Sequence, residues 1–243
     1  MELFRSILLS ALLAGIVAGL ALTGLQTLKV YPLIFAAEVF ENGGQTAAEH
    51  SHAQAGKEAA ANHHADEAEP WAPADGAERL LYSLLANVLL GVALGLVLAA
   101  MFALRRVGDW RQGVIWGLAG FVAVHLAPSF GLPPELPGMP AGDLLARQTW
   151  WFATALLTAG GIALIFLSNA LTWRVAGVAL IVLPQIYGAP HPATLESGVP
   201  ANLAADFATA SLATNLVFWT ILGILTAMTM ARLGQGDRAA ELA

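Results

Sequence analysis

The chain contains no cysteine. Disulfides, thiolate metal sites, iron–sulfur clusters and cysteine nucleophiles are therefore excluded. Charge is scarce as well: Asp, Glu, Lys and Arg together make up 12 % of the 243 residues, too little for the solvated surface of a soluble domain of this size. Signature loops of enzyme chemistry are also missing. The sequence holds no GxxxxGK[ST], HExxH or GxSxG segment, and no GxGxxG between a strand and a helix, so nothing in it points to ATP hydrolysis or to a common hydrolase. The net charge of -6 and a pI near 5.4 argue against nucleic acid or other anionic partners, which want a basic patch.

What the chain does have is apolar surface. Hydrophobic residues make up 57 % and the mean hydropathy is +0.66, more than a soluble domain of this size can bury. The apolar residues fall into runs at Ser6 to about Leu28, Leu80 to Leu104, Val114 to Ala127, Trp150 to Leu167, Val175 to Tyr187 and Phe207 to Met230. Most have the length needed to cross a hydrocarbon core about 30 Å thick. The expected fold is an all-α integral membrane protein, a bundle of about six transmembrane helices, or five. The third and fifth runs are short and proline-bearing, with Pro128 after one and Pro184 and Pro190 within and after the other. The corresponding organisation is a first helix over 1–31, an external His- and Glu-rich loop over 32–79, a five-helix membrane core over 80–231, and a tail over 232–243. The first run is read as an anchor, being too long for a signal peptide.

Basic residues orient the bundle. Arg5, Arg105, Arg106, Arg111, Arg174, Arg232 and Arg238 fall on one side of the six-helix reading, while Lys29, Lys57, Arg79 and Arg147 are spread over longer connections on the other. The positive-inside rule then predicts cytoplasmic termini and an external His-rich loop, in a bacterial inner membrane. Most carboxylates fall on the outer side, where they would concentrate cations. Glycine pairs with GxxxG spacing, Gly15/Gly19, Gly91/Gly95 and Gly113/Gly117, predict close helix packing.

All six histidines lie in the outer half of this topology. His50, His52, His63 and His64 sit in the long acidic connection, where they read either as a polar linker that happens to contain histidine or as weak metal capture. Glu38 and Glu41, three apart, share a face if helix resumes after Pro32, at the mouth of the bundle or as solvated helix-end carboxylates. His125, just ahead of Pro128, is an ionisable group at membrane depth, which makes it a site candidate. His191 follows the Pro184-Gln185 break, and two proline-interrupted helices each ending in histidine resemble the broken helices that form ion sites in transporters. Gln185, Asp206 and Asn215 are further candidates. Asp143 and Arg147, four apart, predict a helical ion pair. The metal ligands expected are thus His125, His191, Glu38, Glu41, His50, His52, His63 and His64, with no resident cofactor, for a transported divalent ion such as Co²⁺, Ni²⁺ or Zn²⁺.

The segment His125-Leu126-Ala127-Pro128-Ser129-Phe130-Gly131-Leu132-Pro133-Pro134-Glu135-Leu136-Pro137-Gly138-Met139-Pro140, followed by Asp143, Arg147, Gln148, Trp150 and Trp151, resembles the CbtA family of predicted cobalt transporters. So do Leu33, Glu38, Val39 and Glu41, the stretch from Pro184 to Pro190, and Val199-Pro200. The resemblance implies cobalt uptake linked to cobalamin synthesis, five spans where six are counted here, and a small single-helix, histidine-bearing partner protein of the CbtB type. Beyond the bilayer and that partner, a homo-oligomer is compatible with the sequence. A membrane-embedded metal-binding enzyme or metal-delivery factor is the alternative to uptake, and export shares the same architecture.

Overall fold

The computed structural model describes residues 2–40, 73–74, 76–194 and 196–241. Within them the chain forms α1 (Glu2–Lys29), α2 (Tyr31–Phe40), α3 (Ala77–Arg105), α4 (Trp110–Ser129), α5 (Leu144–Leu167), α6 (Leu171–Tyr187) and α7 (Ala201–Glu241). No strand occurs among the described residues. Five helices, α1, α3, α4, α5 and the Ala201–Leu233 part of α7, are long and apolar enough to span a membrane. The chain is a multi-pass helical membrane protein. The fifth apolar run becomes α6, with 17 residues, shorter than the five spans.

Glycine decides how these helices meet. A Cβ on Gly91 would strike the backbone of Gly15 at 2.5 Å, and one on Gly19 would strike Val88 at 2.7 Å. Contact partners therefore run downward in α3 as they run upward in α1, and the two helices pack antiparallel with backbones nearly touching. Gly113 and Gly117 of α4 press in the same way on Gly223 and Trp219 of α7. Without a hydrophobic driving force between helices in lipid, such close van der Waals approach supplies much of the association. Side-chain hydrogen bonds add to it where Asn87 Nδ2 of α3 donates to Thr23 Oγ1 and Gln26 Oε1 of α1, at 3.0 and 2.7 Å. Leu22, Leu98, Phe102, Phe218, Trp219 and Leu222 fill the core of this unit of α1, α3, α4 and α7.

α5 and α6 form a separate antiparallel hairpin with its own glycine contact between Gly161 and Gly177. It meets the rest of the bundle mainly through α4, around residues 122–129. The loop after α4 and the loop after α6 lie at the same end, since Gly131 sits against Ala189 and Gly142 against His191. That places the start of α5 and the end of α6 together, so α6 carries the chain back alongside α5. A small second core of Ala37, Leu136 and Val199, with Ile34, Met139, Leu203 and Phe207, ties α2, both loops and the start of α7 into a cap over this end. Arg5, Arg105, Arg106, Arg111 and Arg174 lie at or near helix ends on the opposite side, and Arg232 closes the membrane-spanning part of α7 there.

Pro128 and Pro184 do not end their helices at once. Pro184 is buried inside α6, which continues to Tyr187 and stops at Gly188, with φ 86°. A proline nitrogen cannot donate to the carbonyl four residues back and its ring crowds that carbonyl. In α4 the backbone answers with a π segment over Val122–Leu126, in which the Ala127 N–H bonds to the Val122 carbonyl five residues back.

Candidate functional site

The π segment puts His125 at the wall of a cavity of about 240 Å³, which is also lined by Val124, Pro128, Ser129, Leu132, Pro134, Trp151, Ser211, Leu212 and Asn215. Single π turns inside α-helices recur at functional sites because they spend regular hydrogen bonding on a local change of direction. Two elements, α4 and α7, supply its histidine, serines and asparagine. Ser129 comes from the last turn of α4 and donates to the Leu126 carbonyl at 2.7 Å. From α7, Ser211 and Asn215 are four residues apart and share a face, with the Asn215 amide nitrogen donating to the Ser211 carbonyl at 2.9 Å. That bond leaves the Asn215 side-chain oxygen as the acceptor on this side chain. One turn further along α7, Trp219 Nε1 donates to His125 Nδ1 at 3.1 Å. The Phe121 ring stacks on the imidazole, with centroids 6.3 Å apart and planes 11° from parallel.

Gln185 joins the two proline-bearing helices. Its Nε2 donates to the Ala127 carbonyl at 2.9 Å, so the residue after Pro184 satisfies the residue before Pro128. The Ala127 carbonyl lies in the last turn of α4, where its backbone donor is the Phe130 N–H at a long 3.4 Å, and helix-end carbonyls at membrane depth need such side-chain partners.

The other expected site residues lie apart from this cavity. His191 is exposed in the loop after α6 and does not line it. Helix resumes after Val30, and Glu38 stands on α2 in an ion pair with Arg79 at 2.8 Å, with the guanidinium also over the Phe35 ring at 5.1 Å. Glu41, His50, His52, His63 and His64 lie outside the described residues. Among the described residues, no group of three or more His, Asp or Glu side chains is close enough together to hold a metal ion. Asp206 is exposed near the start of α7.

Arg147 does not pair with Asp143. The Asp143 carboxylate instead caps α5, accepting from the Ala146 N–H at 2.8 Å, and Arg147 reaches back over the proline-rich loop to Glu135. Capping wins because the first N–H groups of α5 have no helical partner and the carboxylate is already beside them. Glu135 is thereby tied to the start of α5 rather than free to turn over the mouth of the bundle.

Sequence reading does not find Trp219, Ser129 or Ser211. For Ser211 and Trp219 the signal is their spacing with Asn215, four apart along one face of α7; Ser129 carries none. A second hollow, between α1 and α3, is lined by Leu20, Thr23, Gly24, Thr27, Leu28, Leu80 and Leu84. Its two hydroxyls are spent on the Gly19 and Thr23 carbonyls, so it offers a polar ligand little.

A family model described as probable cobalt transporter subunit (CbtA) matches residues 4–231. The chain belongs to the CbtA family. The match runs from the first turn of α1 through the membrane-spanning part of α7, so the cavity and both proline-bearing helices fall inside it. No curated protein and no solved structure matches the chain.

Proposed function

We propose that this CbtA-family chain takes up a divalent transition-metal cation, cobalt first and nickel or zinc as competitors, through the cavity beside His125. The observation that carries this reading is a cavity that gathers His125, on a π segment, with Ser129, Ser211 and Asn215 among apolar walls, at the capped end of the bundle. One imidazole with hydroxyl and amide oxygens from Ser129, Ser211 and Asn215 makes a mixed N/O donor set suited to borderline divalent ions. Such a set binds moderately, and a transport site must release what it holds.

His191, at the same end, and Glu41, His50, His52, His63 and His64 are assigned to capturing the ion before it reaches the cavity. Glu38, paired with Arg79, is assigned to the mouth of the bundle. The arginine-rich end is taken as cytoplasmic and the capped end as external, in a bacterial inner membrane, in keeping with the positive-inside rule. The family's description as one component of a transporter supports a partner, which we take to be a small single-helix protein with its own histidines. In the absence of a nucleotide-binding motif, inward movement draws on the membrane potential acting on a divalent charge, on a gradient, or on an energising partner.

Cobalt accumulation in cells lacking their other importers tests the reading. At equal membrane levels, His125→Ala is expected to cut the uptake rate about tenfold or more, as removal of the single nitrogen donor from a weak site should. His191→Ala should have a smaller effect, mainly at low external cobalt. Unchanged accumulation in both variants would show that the ion takes another route.

A further inference from the structure

We propose that Trp219 is a positioning residue that holds His125 in a non-ligating state, so that binding an ion and breaking the Trp219–His125 hydrogen bond are one event. The proposal rests on the reading of His125 as the nitrogen donor to the cargo.

Its basis is a mismatch of polarity. An indole N–H can only donate, so in the 3.1 Å contact the imidazole Nδ1 is the acceptor. Nδ1 then carries no proton, and the proton of the ring is on Nε2. Neither nitrogen has a lone pair to offer, since one is engaged by the indole and the other is an N–H. Histidines that bind metals ordinarily give their second ring N–H to a carbonyl, a carboxylate or water, which fixes the tautomer that ligates. His125 faces a donor where such an acceptor would stand.

Ligation through either nitrogen breaks the same bond. If Nδ1 takes the ion, its lone pair leaves the indole. If Nε2 takes the ion, its proton departs, Nδ1 gains one, and a protonated Nδ1 cannot accept from Trp219. The ring remains neutral either way. Trp219 is poorly placed to follow the imidazole, because it is 3 % exposed and a Cβ on Gly120 would strike its ring at 2.5 Å. Phe121 closes on the imidazole by stacking. Reforming the bond therefore favours release of the ion, and Trp219 sets how tightly the cavity holds its cargo.

Purified full-length protein in detergent micelles provides the test, with Co²⁺ and Zn²⁺ alone as probes. Trp219→Phe keeps a ring and removes the N–H, and Co²⁺ should bind it about two- to tenfold more tightly, the worth of one neutral hydrogen bond. In the unmodified protein, one of seven tryptophan indole ¹⁵N–¹H signals should move when diamagnetic Zn²⁺ is added. The same signal should be missing from Trp219→Phe and displaced in metal-free His125→Ala. If His125→Ala abolishes binding while Trp219→Phe binds Co²⁺ no more tightly than the unmodified protein, the positioning role is wrong and the cavity reading stands. If His125→Ala binds Co²⁺ normally, the cavity reading itself fails. Should Trp219→Phe not fold, the Zn²⁺ response of the indole signal that His125→Ala displaces decides the matter alone, and an unmoved signal overturns the proposal.

Discussion

The unit of α1, α3, α4 and α7 is joined by glycine, whereas the α5–α6 hairpin is joined to it by the neighbourhood of two prolines. In the first region backbone meets backbone at Gly15/Gly91 and Gly113/Gly223. Contacts of that kind leave no side chain to yield, so the four helices have little freedom to slide. In the second region the attachment is the π segment, the Gln185 bond to Ala127 and the loops of the cap. The hairpin is therefore held chiefly through α4 and the cap, whereas the helices of the frame pack directly on one another. The candidate cavity lies where the two regions meet, with Trp151 from the hairpin facing Ser211 and Asn215 from the frame.

The difference can be broken most severely from the glycine side. Gly223→Leu puts a branched side chain against Gly113 and Gly117, and it should cost several kcal/mol, above the usual range of about 1–3 for overpacking, because only backbone lies opposite. Loss of the monodisperse peak on size exclusion in detergent would register it. A smaller effect sharpens the comparison inside the hairpin. Gly161→Ala meets the Gly177 carbonyl and Ile181, and should lower the thermal midpoint by a cost of about 1–3 kcal/mol, while adjacent Gly160→Ala meets nothing within 4 Å and should leave the midpoint unchanged or raise it slightly. Equal behaviour of the two variants would mean that the hairpin is not glycine-packed in solution.

Gln185→Leu should cost about 1 kcal/mol by removing a donor from the Ala127 carbonyl. Spin labels on α5 and α7 should then report a broader distance distribution, whereas labels within α1 and α3 should not. The smallest effect is expected from two fully buried hydroxyls of α5. Thr154 and Thr158 have Oγ1 atoms without a hydrogen-bond partner, so Thr154→Val and Thr158→Val should leave the thermal midpoint unchanged or raise it by up to about 1 kcal/mol in stability. A fall in the midpoint would show that these hydroxyls bond across the hairpin.

Much of the frame is legible in the sequence because its determinants are local. Apolar runs locate helices, and glycine spacing marks the seams at Gly15, Gly91 and Gly113 without knowledge of any partner. His125 stands out because a histidine in an apolar run is costly. What escapes depends on residues far apart in the chain. Trp219 lies 94 positions from His125, and no spacing rule links an indole to an imidazole over that separation. Helical spacing assigns Arg147 to Asp143, but helix ends do not obey interior spacing, since unpaired N–H groups compete there for the same carboxylate. Pro128 reads as a terminator, whereas a helix can absorb a proline by widening one turn, and a pattern of residue types does not reveal that choice.

The brevity of α6 bears on the membrane as well as on the protein. Seventeen residues rise only about 25 Å, against a hydrocarbon core near 30 Å. Val178, Val182, Leu183 and Ile186 on this helix are exposed apolar side chains, an apolar face open to lipid or to a partner helix. Lipid pressed against a short helix thins to match it, at a cost of a fraction of a kcal/mol for each Å. For α6 to cross the hydrocarbon core, the bilayer beside the hairpin would have to thin by a few Å.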